Sequence, residues 1–203
     1  MNKRPIFITG IGTGVGKTIV SAILVEKLKA DYWKPIQSGD LDTSDTANVR
    51  SLVSNSITIF HPEAYRLTQP FSPHKSAALD GIHIDPEEIK LPETNNHLII
   101  EGAGGLMVPL NEKFLMIDLI KKLDAEVVLV SKNYLGSINH TLMSAGILKS
   151  HGIKLSRLIF SGDHDQESEK IIRKFLGIES LHIPYFDVLN SETVSSFTEG
   201  LIW

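Results

Sequence analysis

The chain has 203 residues, 42% of them hydrophobic and 22% charged, a balance typical of a soluble globular protein with one substantial core. Its net charge is −4 and no lysine or arginine run exceeds two residues, which argues against a nucleic-acid-binding surface. The absence of cysteine excludes disulfides, thiolate metal ligands and thiol nucleophiles. We therefore expect a single domain over residues 1–203.

The beginning of the chain carries basic residues, but the apolar run behind them is too short for a signal peptide. No segment approaches the roughly 20 apolar residues that a membrane span needs. We therefore expect a cytoplasmic protein without a membrane partner.

The first predicted elements are a buried strand over residues 6–8, a glycine-rich loop, and a helix that follows the loop. Glycines let several backbone N–H groups turn toward one point, where the positive end of the helix also attracts an anion. Lys17 would reach the outer phosphates of a nucleotide, and the Thr18 hydroxyl could bind Mg²⁺. The pattern favours a nucleoside triphosphate site over a glycine turn that binds nothing.

The spacing of this loop differs from the usual one. Five residues separate Gly10 from Gly16, where the standard phosphate loop has four. We therefore interpret the loop as a variant of the phosphate loop.

Residues 32–36 are predicted to form a second strand that ends at Pro35, because proline has no N–H to donate to a sheet. Residues 37–39 would form the turn after it. Ligands of open parallel sheets bind beyond the carboxyl ends of the strands, so Lys34 and Ser38 would face the same crevice as Lys17. The residues alone leave open whether Lys34 binds a ligand or is a solvated surface lysine.

An acidic turn over residues 40–45 precedes a predicted helix over residues 46–52. Thr43, Ser44 or Asp45 could cap this helix. A carboxylate near a phosphate loop could instead hold Mg²⁺, and spacing does not choose between these roles.

Two later stretches are rich in polar residues and proline. Residues 65–74 are predicted to form a constrained loop without regular structure. Residues 80–96 are predicted to be a surface connection around a short helix at residues 86–91.

A buried strand over residues 97–101 is predicted to end in Glu101 and to lead into a second glycine loop, residues 102–105. A carboxylate there suits a Mg²⁺ or phosphate site, and a water-exposed glutamate is the alternative. Two glycine loops and two acidic groups in one chain favour a shared site.

Strands over residues 127–130, 158–160 and 181–183 alternate with helices that extend from Ser137, a plausible N-cap, to about Lys149, and over residues 171–176. The N–H groups near Ser137 could bind a carboxylate or belong to an ordinary helix start. The alternation predicts a doubly wound, mostly parallel α/β sheet with helices on both faces. The eight histidines show no metal-ligand spacing, so we assign none of them to a metal.

Several separated motifs together resemble the dethiobiotin synthetases, enzymes of biotin synthesis. They follow the family's order over most of the chain: residues 10–18, 34–39, Asp45, and residues 70–74, 101–105 and 136–140. The resemblance implies a sheet of about seven strands of the phosphate-loop NTPase type and a homodimer. It also implies ATP- and Mg²⁺-dependent closure of 7,8-diaminononanoate with CO₂ to dethiobiotin, through a carbamate and a carbamic–phosphoric anhydride, with release of ADP and phosphate.

The resemblance also implies roles for individual residues. The metal ligands would be Thr18, Asp45 and Glu101, and the catalytic residues Lys34, Lys17 and Thr13. The nucleotide would be bound by Gly14, Val15, Gly16, Lys17, Thr18, Ile19, Asp45, Glu101, Gly102, Ala103, Gly104, Ser161, Gly162, Pro184, Tyr185 and Phe186. The diamine would be bound by Lys34 and Ser38 and, from the second subunit, by Gly136, Ser137, Ile138 and Asn139.

Two positions depart from the family pattern. Many relatives carry glutamate where this chain has Gly14. The family commonly has asparagine, which reads the nucleotide base, where this chain has Ser161 followed by Gly162. Base contact would then fall to the backbone of residues 184–186, and we predict weaker discrimination between nucleotides than asparagine would provide.

Two other functions fit a phosphate loop. A partitioning-type ATPase switch would carry a signature lysine five residues before Lys17, where this chain has Gly12. A non-catalytic nucleotide-binding regulator would need the loop but not Lys34 and Ser38 beside it.

Overall fold

The computed structural model describes residues 4–203, and within them strands and helices alternate along most of the chain. The strands are β1 (Ile6–Gly10), β2 (Asp31–Trp33), β3 (Ile36–Ser38), β4 (Phe60–His61), β5 (Tyr65–Leu67), β6 (Leu98–Gly105), β7 (Glu126–Lys132), β8 (Leu155–Ser161) and β9 (Ser180–Ile183). The α-helices are α1 (Lys17–Leu28), α2 (Asp45–Leu52), α3 (Pro73–Leu79), α4 (Met116–Lys122), α5 (Ser137–Ser150), α6 (Gln166–Leu176) and α7 (Ser191–Gly200).

Seven of these strands form one sheet in the order β4-β2-β6-β1-β7-β8-β9, and each neighbouring pair is parallel. The remaining two, β3 and β5, pair with each other. The predicted doubly wound sheet of about seven strands is therefore confirmed. None of the helices described in residues 4–203 has the length and apolar character of a membrane span.

The strands are apolar on both sides because helices cover both faces of the sheet. In β1, Ile6 and Ile8 pack into one apolar cluster, whereas Phe7 between them packs into the other. The first cluster contains residues of α1 and α7, and the second contains residues of α4 and α5. Side chains that alternate along a strand therefore hold the two helical layers in place.

Three sequence expectations about strands were wrong. The single strand expected over residues 32–36 is two short strands, and residues 37–38 belong to β3 rather than to a turn. The predicted glycine loop at residues 102–105 is the end of β6. These glycines suit a strand in a crowded sheet, because a Cβ on Gly102 would lie 2.6 Å from Cε1 of Phe7.

Other expectations failed where the polar composition concealed buried residues. Residues 65–74 contain β5 and the beginning of α3. The stretch 80–96 has a short 3₁₀ turn at Pro86–Glu88, and it is not only a surface connection because Ile84 and Ile89 are buried. The elements β4, α4 and α7 were not predicted.

Candidate functional site

The phosphate loop connects β1 to α1 and begins its helix without a side-chain cap. Gly16 is the N-cap, with φ of 94°, and Gly14 has φ of 71°. Both angles lie in the left-handed region that glycine adopts without strain. The N–H groups at the start of α1 are therefore available to an anion.

Lys17 is the first residue of α1 and is buried. Its Nζ donates a hydrogen bond to the Gly12 carbonyl at 3.3 Å, so the side chain folds back over the loop. Burial lowers the pKa of Lys17 below 10.5, and the charge of Glu101 opposes this effect. An anion at the loop would provide the negative partner that this buried ammonium needs.

Three oxygen-bearing side chains from distant parts of the chain meet beside Lys17. The Thr18 hydroxyl lies 3.0 Å from Oδ1 of Asp45 and 3.0 Å from Oε1 of Glu101. Hydroxyl and carboxylate oxygens are the ligand atoms that Mg²⁺ prefers. The donor set at this point therefore fits a magnesium ion.

Lys34 is buried against the same two carboxylates. Its Nζ lies 2.7 Å from Oδ2 of Asp45 and 3.4 Å from Oε1 of Glu101. Burial by itself would lower the pKa of Lys34, but the negative charges of Glu101 and Asp45 raise it above 10.5. The ammonium charge is therefore retained in the interior, where it can meet a second anion.

The strand register explains why Lys34 and Glu101 meet. Strands β2 and β6 are parallel neighbours in which Trp33 pairs with Ile100, so the residues that follow them, Lys34 and Glu101, are side by side. This juxtaposition depends on strand order, which spacing along the chain does not reveal.

Asp45 reaches the site because Ser44 takes over the capping of α2. The Ser44 hydroxyl accepts a hydrogen bond from the Ala47 N–H, while Asp45 is the first residue of the helix. Oε1 of Gln37 accepts a hydrogen bond from the Asp45 N–H at 3.3 Å. Of the three candidate caps, Ser44 performs that role, and the Asp45 carboxylate faces Thr18 and Lys34.

Tyr32 is a further site residue that sequence reasoning missed. Its hydroxyl donates a hydrogen bond to Oε2 of Glu101 at 2.9 Å. Burial, followed by the charge of Glu101, raises the pKa of Tyr32 well above 10, so the phenol remains a donor. The sequence could have indicated Tyr32 by its position two residues before Lys34, because alternate residues of an extended chain share a face.

Lys17, Thr18, Lys34, Asp45 and Glu101 line a cavity of about 830 Å³. The predicted site residues on its wall are Thr13, Gly14, Gly16, Lys17, Thr18, Ile19, Lys34, Ser38, Asp45, Glu101, Ala103 and Gly104. Ser38 has a buried Oγ without a hydrogen-bond partner. Gly102 is not on the wall, and the place of its missing Cβ faces the ring of Phe7. Wall residues absent from the prediction include Gln37, Asn48, Phe71 and Val108.

A second cavity of about 170 Å³ shares Gly14, Gly16 and Ile19 with the first. Its wall also contains the predicted residues Val15, Ser161, Pro184, Tyr185 and Phe186. Gly162 packs against the ring of Tyr185, since a Cβ there would lie 3.0 Å from the ring. Lys132, which was not predicted, also lines the cavity, with its Nζ 5.6 Å from the centroid of the Tyr185 ring.

The four residues expected to hold the substrate tail lie apart from both cavities, at the start of α5. They are Gly136, Ser137, Ile138 and Asn139. Gly136 is the N-cap, with φ of 102° and no side-chain cap, so Ser137 is the first helical residue rather than the cap. The preceding side chain, Leu135, is fully exposed.

Comparisons with known proteins identify the family of the chain. A family model described as an AAA domain matches residues 4–193. The chain is 55% identical over 185 residues to an ATP-dependent dethiobiotin synthetase of Christiangramia forsetii, covering 89% of each chain. It is 49% identical over 197 residues to the enzyme of the same name from Cytophaga hutchinsonii, covering 96% of this chain and 95% of the relative.

The fold resembles that of a ParA family ATPase from Chlorobium tepidum, with a TM-score of 0.60 and 15% identity over the whole of both chains. This likeness concerns the fold alone. The sequence identities to the synthetases are much higher and extend over most of the chain. The chain therefore belongs to the family of ATP-dependent dethiobiotin synthetases, which are ligases.

Proposed function

We propose that this protein is an ATP- and Mg²⁺-dependent dethiobiotin synthetase that joins 7,8-diaminononanoate and CO₂ into the cyclic urea dethiobiotin, with release of ADP and phosphate. The observation that carries the proposal is the meeting of Thr18, Lys34, Asp45 and Glu101 beside the phosphate loop. A non-catalytic nucleotide site would not need a buried, charged lysine beyond the phosphates.

The nucleotide would lie across the two cavities, which share loop residues. Its phosphates would accept hydrogen bonds from the N–H groups between Gly14 and Thr18 and would pair with Lys17. The base would enter the smaller cavity beside Ser161 and Tyr185. This placement uses the predicted nucleotide residues other than Gly102, which faces the core, and Gly162, which packs against Tyr185.

Thr18, Asp45 and Glu101 would hold the magnesium ion. Their oxygens are hard donors, and Oδ1 of Asp45 and Oε1 of Glu101 each lie 3.0 Å from the Thr18 hydroxyl oxygen. When bound, Mg²⁺ supplies positive charge to the phosphate oxygens during phosphoryl transfer.

The chemistry begins when one substrate amine captures CO₂ as a carbamate, which is a poor electrophile. A carbamate oxygen attacks the γ-phosphorus of ATP, ADP leaves, and a carbamic–phosphoric anhydride results. The second amine then attacks the carbonyl carbon and expels phosphate, which closes the ring. No covalent bond to the protein is needed, in agreement with a chain that has no cysteine.

Negative charge accumulates where the carbamate meets the γ-phosphate. Lys17 would offset it on the phosphate side and Lys34 on the carbamate side, in an array that needs no rearrangement during the transfer. The unpartnered hydroxyl of Ser38 would hydrogen-bond the diamine or its carbamate. Thr13, on the same cavity wall, completes the catalytic group that we propose.

The substrate tail would be bound by a second copy of the chain. Residues 136–139 do not line the cavities of their own subunit, yet the N–H groups at the start of α5 suit a carboxylate. Leu135 and Met143 on the same surface are exposed and apolar, as expected of residues that a partner covers. We therefore propose a homodimer whose active sites each include residues of both subunits.

The decisive experiment is an assay with 7,8-diaminononanoate, bicarbonate, Mg²⁺ and ATP, in which dethiobiotin is detected by mass spectrometry and ADP is measured in parallel. We expect equal amounts of dethiobiotin and ADP, and neither product when the diamine is omitted. An ATPase switch would release ADP without the diamine, and a binding regulator would form neither product. Either result would refute the proposed function.

A further inference from the structure

Two histidines and a glutamate converge at the edge of the sheet where β8 and β9 end. They are His164, which follows β8, Glu169 on α6, and His182 in β9. One ligand atom from each side chain lies within 4.8 Å of the other two. The Glu169 carboxylate is completely buried, and its Oε1 lies 2.9 Å from Nδ1 of His164 and 3.3 Å from Nδ1 of His182.

The hydrogen bonds of His182 determine which of its nitrogens can hold a proton. Nε2 lies 2.9 Å from the Gly162 carbonyl, which can only accept, so Nε2 must carry a hydrogen. In the neutral ring Nδ1 is then a bare acceptor, and it faces the acceptor-only carboxylate of Glu169. Two lone pairs at this distance repel each other unless a proton or a metal ion lies between them.

Unpaired acceptors are concentrated around this point. Six buried side-chain polar atoms in residues 4–203 have no hydrogen-bond partner, and three of them are Oε2 of Glu169, Nδ1 of His182 and Oδ1 of Asn133. Asn133 belongs to the same cluster, since its Nδ2 donates to Oε1 of Glu169 at 2.9 Å. Nη1 of Arg173 lies 3.9 Å from Oε2, beyond hydrogen-bonding distance.

We propose that His164, Glu169 and His182 form a binding site for a divalent transition metal ion of the zinc class. Zinc takes histidine nitrogens and carboxylate oxygens at about 2.0–2.2 Å, which places tetrahedral ligand atoms about 3.3–3.5 Å apart. The 3.3 Å between Nδ1 of His182 and Oε1 of Glu169 matches this spacing, and the 2.9 Å between Nδ1 of His164 and the same oxygen is shorter. The imidazoles distinguish the site from the all-oxygen set around Thr18, which suits magnesium.

The ion would stabilise the loop beside the smaller cavity. His182 donates a hydrogen bond to the Gly162 carbonyl. Asn133 donates hydrogen bonds to the Asp163 carbonyl and to Glu169. A metal bound to His182 and Glu169 would therefore connect β9, α6 and the loop after β8. Its role would be structural, and it would lie outside the reaction that we propose for the phosphate-loop site.

The test uses the full-length, untagged protein after removal of metals with a chelator. Zn²⁺ is titrated in the presence of Mg²⁺ and ADP, and binding is followed by calorimetry and by the midpoint of thermal unfolding. Co²⁺ is added separately, because its visible absorption reports nitrogen ligands. We expect one Zn²⁺ per chain and a higher unfolding midpoint, since a ligand of the native state stabilises it.

Three variants make the test specific. H164Q and H182Q should each lose the Zn²⁺-dependent rise in the unfolding midpoint and weaken Zn²⁺ binding at least tenfold. H83Q, which changes an exposed histidine elsewhere, should behave like the wild type. The D45N variant should retain this zinc site, because Asp45 belongs to the proposed magnesium set.

Three results would overturn the proposal: no Zn²⁺ binding by the wild type, unchanged binding in H164Q and H182Q, or loss of binding in D45N alone. H164Q remains informative if H182Q does not fold, because the His164 side chain is 53% exposed. The readouts do not involve the diamine, so failure here is distinguishable from failure of the proposed synthetase activity.

Discussion

At the scale of single residues, two buried lysines of one cavity have pKa values displaced in opposite directions. Burial lowers the pKa of Lys17, whereas the charges of Glu101 and Asp45 overcome burial and raise the pKa of Lys34. The difference follows from their neighbours, since Lys17 contacts a carbonyl oxygen and Lys34 contacts two carboxylates. Lys17 therefore lacks an anionic contact that a phosphate could supply, while Lys34 already has two.

This difference predicts distinct defects when each charge is removed. Lys17→Gln should lower kcat by roughly 100-fold or more, because the transferred phosphoryl group loses a preorganised positive partner. Lys34→Gln should raise the KM for the diamine and lower turnover while leaving ADP affinity within about threefold of the wild type. Steady-state kinetics and ADP titrations would measure both effects.

Lys170→Gln is the matched control, because Lys170 is exposed on α6 and its only ion pair described is with the exposed Glu167. It should leave both measurements unchanged. If Lys34→Gln and Lys17→Gln weakened ADP binding equally, the assignment of Lys34 to the diamine would be wrong.

Nucleotide selectivity is a second property decided by few residues. The smaller cavity presents Ser161 and the aromatic ring of Tyr185, and its lining contains no asparagine. A short hydroxyl and stacking surfaces distinguish bases less well than an amide that pairs with a base edge. We predict that CTP and GTP support turnover within about tenfold of ATP, as steady-state rates at equal concentrations would show. A preference for ATP above a hundredfold would contradict this.

At the scale of elements, α1 carries the proposed phosphate-binding residues at one end and an anchor at the other. The buried carboxylate of Glu26 accepts hydrogen bonds from the N–H groups of Ser54 and Asn55 and from Lys29. These bonds hold the connection after α2 against the end of α1. Burial alone would raise the pKa of Glu26, but the hydrogen bonds lower it to about 2.

This anchor predicts a particular loss of stability in acid. The pKa of Glu26 is about 4.5 in the unfolded chain and about 2 in the folded protein. The unfolded state therefore binds more protons between these values, so the stabilisation is complete above pH 4.5 and is lost as the pH falls toward 2. At roughly 1.4 kcal/mol per pKa unit, the contribution is on the order of 3 kcal/mol.

Glu26→Gln should therefore reduce the free energy of unfolding near neutral pH, and the difference from the wild type should shrink as the pH falls from 5 to 3. Urea titrations at several pH values would measure it. Glu179→Gln, at a highly exposed position, is the control and should show no such dependence. A constant difference across this pH range would contradict the assigned role of Glu26.

At the scale of the whole molecule, the strand order places β1 at the centre, between β6 and β7. The phosphate loop leaves β1, and Glu101 and Lys34 follow from β6 and β2 on one side of it. The start of α5 follows β7 on the other side. The strand order extends in opposite directions on the two sides of β1. This leaves a crevice at the carboxyl ends of the strands, where ligands of doubly wound sheets bind.

The proposed dimer predicts that a charge on its surface would impair both assembly and catalysis. Leu135→Asp should convert a dimer to a monomer in light scattering after size-exclusion chromatography, because burial of the new carboxylate is unfavourable. The KM for the diamine should rise at least tenfold, since each site would lose the helix start of its partner.

Ile57→Asp provides the control, because Ile57 is an exposed apolar residue away from α5. It should remain dimeric with unchanged kinetics. A wild-type protein that is monomeric at micromolar concentration but fully active would refute the shared site.

The sequence by itself determined the features that depend on residues close together in the chain. The phosphate loop, the alternation of strands and helices along most of the chain, and the apolar strands that helices cover on both faces all follow from local spacing and periodicity. The candidate ligands Thr18, Asp45 and Glu101 could be named because each stands at the end of an element or directly after a glycine loop. The sequence did not reveal that residues 102–105 belong to a strand, because glycines are also common in loops.

Only the tertiary structure decided which distant side chains meet. Tyr32 contacts Glu101 because β2 lies beside β6, and Ser44 releases Asp45 by capping α2 itself. His164, Glu169 and His182 have no ligand spacing in the chain, yet the pairing of β8 with β9 and the packing of α6 bring them together. Contacts of this kind depend on strand order and register, which arise from the packing of the whole chain and are not encoded in any short segment.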